Sequence, residues 1–136
     1  MPLPPVLNLQ VMQEKETSLI KLELLDSGIL VATYKRRKVI TLDMAREIVQ
    51  TRLDFAGREP RPVLVLNQGV LDMTREARHY VGTGDGIVGI KAAAAVRDQF
   101  STFLIMSLIV RIEKPPFPHR EFSRKQPALD WLSTFL

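Results

Sequence analysis

This chain has no cysteine. Disulfides and thiolate metal sites are therefore excluded, and a reducing cytoplasm is the compartment that fits. Histidine is nearly as scarce, with only His79 and His119. The two lie far apart in sequence, and neither stands at ligand spacing with another histidine on one helix, so no metal and no cofactor is expected. Long apolar runs are missing as well. The longest uncharged apolar stretch, Phe100 to Val110, is interrupted by Ser101, Thr102 and Ser107. It is about half the length that a bilayer-spanning helix needs, so no transmembrane segment is expected. The N-terminus, Met1-Pro-Leu-Pro-Pro-Val6, lacks the basic region and cleavage site of a signal peptide. The net charge of +4 is weak and suits a protein held off its isoelectric point. Lys35-Arg-Arg-Lys38 has no interleaved aromatic platform, so it reads as a solvated loop, and nucleic acid is not an expected partner.

Catalytic patterns are also wanting. Ser27, Ser101, Ser107 and Ser123 fall in turn, helix or cap contexts without a nucleophile elbow. Asp72, Glu76 and Asp85 cluster in sequence but form no matched acid–base pair. Gly82-Thr-Gly-Asp-Gly86 looks superficially like a phosphate cradle, but it follows a helix and leads into a strand. The phosphate-binding fingerprints need strand, glycines and helix in that order. A flexible connection is expected there instead. No catalytic residue can be named.

What the chain does contain is a mixed α/β pattern. Its 136 residues make one domain with a buried core. Residues 1–16, rich in proline and then in charge, read as a flexible N-terminal arm, leaving 17–136 as the domain. Ile20, Leu22 and Leu24 alternate with Lys21 and Glu23, the period of a half-buried strand. Asp26-Ser-Gly28 turns the chain into a second strand ending at Tyr34. Thr41 caps a helix whose apolar stripe is Met44, Ala45, Ile48, Val49, Leu53 and Ala56, and Gly57 ends it.

The remainder is organised around Arg61 to Glu76. Pro62 to Leu66 reads as a strand covered on both faces. A polar loop, Asn67-Gln-Gly69, follows, and a helix begins at Thr74. Loops leaving such strands are where open α/β sheets place their sites. Ile90–Val96 reads as a strand despite its alanines, because an alternating order of elements requires one and small side chains let helices pack closely. His119–Ser123 reads as an edge strand with Phe122 inward. Ser123 and Gln126 stand at capping-box spacing ahead of a last helix that buries Ala128, Leu129, Trp131, Leu132 and Phe135. The expected order is ββαβαβαβα, a mixed sheet with helices packed on it.

The helix running to Glu113 has almost no polar face. Phe103, Leu104, Met106, Leu108, Ile109 and Ile112 can form a homodimer contact, the wall of an apolar ligand site, or plain core.

With Ile40-Thr-Leu-Asp43 opening the first helix and Phe122-Ser, then Ala128-Leu-Asp-Trp-Leu132, closing the chain, the sequence resembles small bacterial STAS-like proteins. These are relatives of the anti-sigma-factor antagonists with a SpoIIAA-like fold, and the resemblance covers roughly Leu19 to Leu136. It implies a mixed sheet of four or five strands with helices packed mainly on one face, and a non-enzymatic role in protein–protein regulation or small-ligand sensing. In the antagonists, a serine or threonine at the start of the second helix, in a segment of the form Asp-Ser-Ser/Thr-Gly, is phosphorylated. Here the segment is Asp72-Met-Thr74-Arg75-Glu76, so only Thr74 could take a phosphate, and the neighbouring small residues are missing. The core topology is also similar to that of CRAL-TRIO lipid-transfer domains.

The expectation is a cytoplasmic, non-catalytic interaction module, a homodimer, with a protein partner docking at Asn67, Gln68, Gly69, Asp72, Thr74 and Arg75. The alternative is a carrier or sensor of a small apolar ligand beneath the Phe100–Ile112 helix, with an enzyme of unknown class third. A closed apolar cavity of roughly a few hundred Å3 would favour the carrier.

Overall fold

The computed structural model of the chain describes residues 10–35, 39–67, 72–96 and 104–136. Strands β1 (Val11–Glu16), β2 (Ile20–Leu25) and β3 (Leu30–Tyr34) form an antiparallel meander. In β2 and β3, Ile20, Leu22, Leu30 and Ala32 bury one face, while Leu25 and Val31 bury the other. Helix α1 (Leu42–Ala56) then carries the chain to β5 (Arg61–Asn67), which lies parallel to β3. Helix α2 (Arg75–Gly82) leads to β7 (Ile90–Val96), and α3 (Leu104–Glu113) leads to β8 (His119–Phe122), both parallel to their neighbours. The main sheet has six strands in the order β1-β2-β3-β5-β7-β8. The short strands β4 (Val39–Ile40) and β6 (Asp72–Met73) pair with each other in parallel, immediately ahead of α1 and α2.

Two expectations are corrected here. The sheet has six strands rather than four or five, and the second half of the expected arm is strand β1. No apolar alternation announces β1, because its side chains are exposed along its whole length. It is held by edge pairing to β2 and by Lys35 bonding Glu16, with the pairing interrupted by a bulge at Met12. The hydrogen bond from Lys35, and then its charge, lowers the Glu16 carboxyl pKa from its ordinary value.

The core lies in two layers. Val63 of β5 joins Ala45 and Ile48 of α1, Ala77 of α2 and Ile109 of α3 on one face. On the other face, Leu64, Ala92 and Ala94 pack against Ala128, Leu129 and Leu132 of helix α4 (Lys125–Ser133). Three helices therefore cover one face and one covers the other. The alanines of β7 favour helix intrinsically, but pairing on both sides and the close approach of α4 override that preference. Trp131 of α4 sits between Phe122 and Phe135, with ring centroids 5.9 and 4.8 Å away. The expected capping box at Ser123 and Gln126 does not form. Arg124 occupies the cap position without a side-chain bond, and Gln126 instead donates to Asp130 one turn on.

The helix starts follow the sequence. Thr41 Oγ1 accepts from the Met44 N–H at 3.5 Å, and Thr74 Oγ1 accepts from the Ala77 N–H at 3.2 Å. At the other end of α2, Gly82 is required for a packing reason. A Cβ there would lie 2.8 Å from the Cβ and Cγ of Glu113 and 3.0 Å from Ile109 Cγ2, so the missing side chain lets α3 cross directly over α2.

Candidate functional site

Between the sheet and helices α1 to α3 lies a cavity of about 100 Å3. Its floor is Ile20, Ala32, Val63, Val65, Ala93 and Ala95, the outward positions of four adjacent strands. Ile48 and Val49 of α1, Val81 of α2 and Ile109 of α3 form the roof, and Phe117 of the proline-rich connector also lines it. The space follows from side-chain size. Ala93 and Ala95 are too short to reach the helices, and the β-branched residues around them do not close the gap.

Three polar residues, Tyr34, Arg52 and Asn67, line this otherwise apolar space. Tyr34 and Arg52 are the two that the sequence reading missed, and Arg52 carries the clearer signal. Its position continues the Ala45, Ile48 spacing of α1, so a charged residue on the apolar stripe was the available signal. Only 7% of its surface is exposed. The guanidinium donates to Val88 O at 2.7 Å, Gly86 O at 3.1 Å and Asp85 O at 3.3 Å. These three acceptors belong to the Gly84–Ile87 single 3-10 turn and the residue after it.

The expected flexible connection at 82–86 is therefore corrected to a turn tied down by a buried cation. Gly86 is packed so closely that a Cβ would fall 2.1 Å from Tyr80 O. Among the described residues no carboxylate pairs with Arg52. Asp85 turns its carboxylate to Arg58, 3.5 Å away. Burial lowers the Arg52 pKa, and the neighbouring Tyr34 opposes the shift. Burial likewise raises the Tyr34 phenol, against the pull of the Arg52 charge. No hydrogen bond joins the two.

The residues read from the sequence as sites are only partly gathered. Asn67 ends β5 at the cavity. Asp72 opens β6, Thr74 caps α2, and Arg75 is the first residue of α2. Gln68, Gly69 and Phe103 lie outside the described residues. On α3, Ile109 is a buried wall of the cavity, whereas Ile112 is 56% exposed and faces a separate hollow with Arg46, His79 and Glu113. Leu104, Met106 and Leu108 are placed on α3 by backbone alone. His79 Nδ1 lies 3.0 Å from Glu113 Oε2, bridging α2 and α3. Among the described residues, no group of three or more metal-binding side chains converges, and no helix is long and apolar enough to cross a membrane.

No curated protein matches the chain in sequence. A solved structure that resembles it is an uncharacterised protein of the DUF3478 family from Shewanella loihica PV-4, described as having a SpoIIAA-like fold. The TM-score is 0.57 at 16% identity, covering 88% of this chain and 98% of that one. At that identity the likeness concerns the fold, and it agrees with the mixed sheet and helix order described above. The sequence profile of a family described as a domain of unknown function, DUF7793, matches residues 23–136. The chain therefore belongs to the DUF7793 family, and its fold is SpoIIAA-like.

Proposed function

We propose that this protein works by binding rather than by catalysis, as a small-ligand carrier or sensor whose ligand is held in the cavity beneath α1 to α3. The cavity is the observation that carries the reading. Its volume, about 100 Å3, falls short of the few hundred Å3 expected of a carrier and is about two-thirds of the roughly 150 Å3 that holds benzene in a protein core, so it suits only a very small ligand group. Its lining is almost wholly aliphatic, so the gain on binding comes from apolar area removed from water. The size limits the ligand to a compact hydrocarbon group and excludes a long lipid chain fully enclosed in this space.

A regulatory interaction is the second reading, and a second copy of the chain is the partner that it names. The support is the apolar surface left uncovered: Met12 on edge strand β1, 63% exposed, and Ile112 on α3. Docking at Asp72, Thr74 and Arg75 belongs to the same reading. A phosphoswitch at Thr74 is disfavoured, because the small residues that flank the antagonists' phosphorylated position are replaced here by Met73 and Arg75.

Native mass spectrometry of freshly purified protein, followed by organic extraction, tests both readings. Added mass that extracts as a small apolar compound supports the carrier. A dimer with no added mass moves the interaction module to first place.

A further inference from the structure

The polar groups of the cavity narrow the class of ligand, an inference that rests on the carrier reading above. Arg52 is an ionised group in an apolar wall, and its guanidinium stays protonated at any physiological pH. Three of its five N–H groups are accounted for by the carbonyls of Asp85, Gly86 and Val88. Those bonds hold the 3-10 turn, but carbonyl dipoles do not cancel a full charge. A buried cation without a counter-ion is costly, and an anion entering the cavity would offset that cost.

Tyr34 completes the arrangement. Its ring packs against the same core layer, and it lines the same cavity as Arg52. The two are close enough to feel one another electrostatically, yet no hydrogen bond joins them. Among the described residues the Tyr34 hydroxyl has no hydrogen-bond partner. An acceptor with two oxygens could therefore take a proton donor from each side. A phosphate fits less well, because it needs more donors than these and the rest of the wall is hydrocarbon.

We infer that the ligand is a small apolar carboxylic acid, with its hydrocarbon part among Val63, Val65, Ala95 and Ile109 and its carboxylate between Arg52 and the Tyr34 hydroxyl. At about 100 Å3, two-thirds of the roughly 150 Å3 that holds benzene, the cavity suits the branched four-carbon tail of an acid of about five carbons.

The test compares three probes on the full chain by two-dimensional amide NMR: isovalerate, its uncharged isostere isovaleramide, and toluene. Isovalerate is expected to bind at least about tenfold more tightly than the amide, the ratio that a single charge-assisted contact supplies. Tyr34→Phe should reduce that ratio several-fold and leave toluene unaffected. Arg52→Gln should abolish the preference, but it also frees three carbonyls and risks unfolding, so Tyr34→Phe is the deciding variant. Equal affinity for acid and amide, with toluene still bound, overturns the acid and leaves the carrier reading intact. Failure of all three probes to bind, as expected if the space holds only ordered water, overturns both. A preference for acid that survives Tyr34→Phe unchanged removes Tyr34 from the site and overturns the proposed geometry.

Discussion

Replacing Gly82 by alanine sets two effects against each other. Alanine is the better helix former by about 1 kcal/mol in a helix interior, and it stiffens the unfolded chain. Gly82 is the last residue of α2, so only a part of that gain applies. Against it stands the crossing with α3. The new methyl would lie 2.8 Å from two carbons of Glu113 and 3.0 Å from one of Ile109, where ordinary contact begins at 3.4 Å. The Glu113 contacts include its Cβ, which cannot swing away without its backbone. Helix α3 must retreat by at least about 0.6 Å, and overpacking of this kind costs about 1–3 kcal/mol.

The clash therefore wins, and Gly82→Ala should destabilise the protein by about 1–2 kcal/mol net. Urea unfolding is the assay, with a lowered midpoint at unchanged slope as the expected result. Ile109 is a wall of the cavity, so the same retreat should widen the site and strengthen the binding of toluene. A Gly82→Ala variant as stable as the parent, or more so, would refute the packing argument and leave Gly82 a plain helix terminus.

Other substitutions probe the remaining parts of the fold. Thr74→Ala should cost about 1 kcal/mol through loss of the α2 cap, and a midpoint identical to the parent's would show that the Ala77 N–H finds another acceptor. Leu132→Ala, at a fully buried site on the α4 face, should cost about 2–5 kcal/mol in the same unfolding assay. A loss under about 1 kcal/mol would mean that α4 collapses onto the space. Tyr34 should ionise above the ordinary phenol value when followed by ultraviolet titration. The unfolded phenol loses its proton at about pH 10, before the folded one does. The contribution of Tyr34 to stability is thus full below that pH and declines as pH rises toward the higher folded pKa. Absorbance that accounts for both tyrosines at the ordinary value would contradict its burial.

Much of the architecture was legible because local chemistry and global packing agree. Thr41 and Thr74 cap their helices as their residue type and position suggest. The Val63-Leu-Val-Leu66 run proved to be a strand covered on both faces. The alanines of β7 were harder, since their propensity points to helix and only the order of elements argued for a strand. Strand β1 was missed because it buries nothing and therefore leaves no period in the sequence. The capping box at Ser123 failed because spacing alone does not set the backbone direction at a helix entry.

The sequence by itself determined the class of the fold. Alternation of period two in β2, of period 3.6 in α1, and the apolar run of β5 each depend on neighbours within a few residues, and such neighbours are visible in one dimension. It also determined that thiol chemistry is missing, since folding cannot add a cysteine. The tertiary structure alone decided that Ile109 is a cavity wall while Ile112, one turn on, faces outward. It alone turned the glycine-rich 82–86 segment from a loose connection into a turn fastened by Arg52, which lies more than thirty positions earlier in the chain. Arg52 and Tyr34 line one cavity only because α1 packs back on the sheet, and two such residues on separate elements have no signature in sequence order.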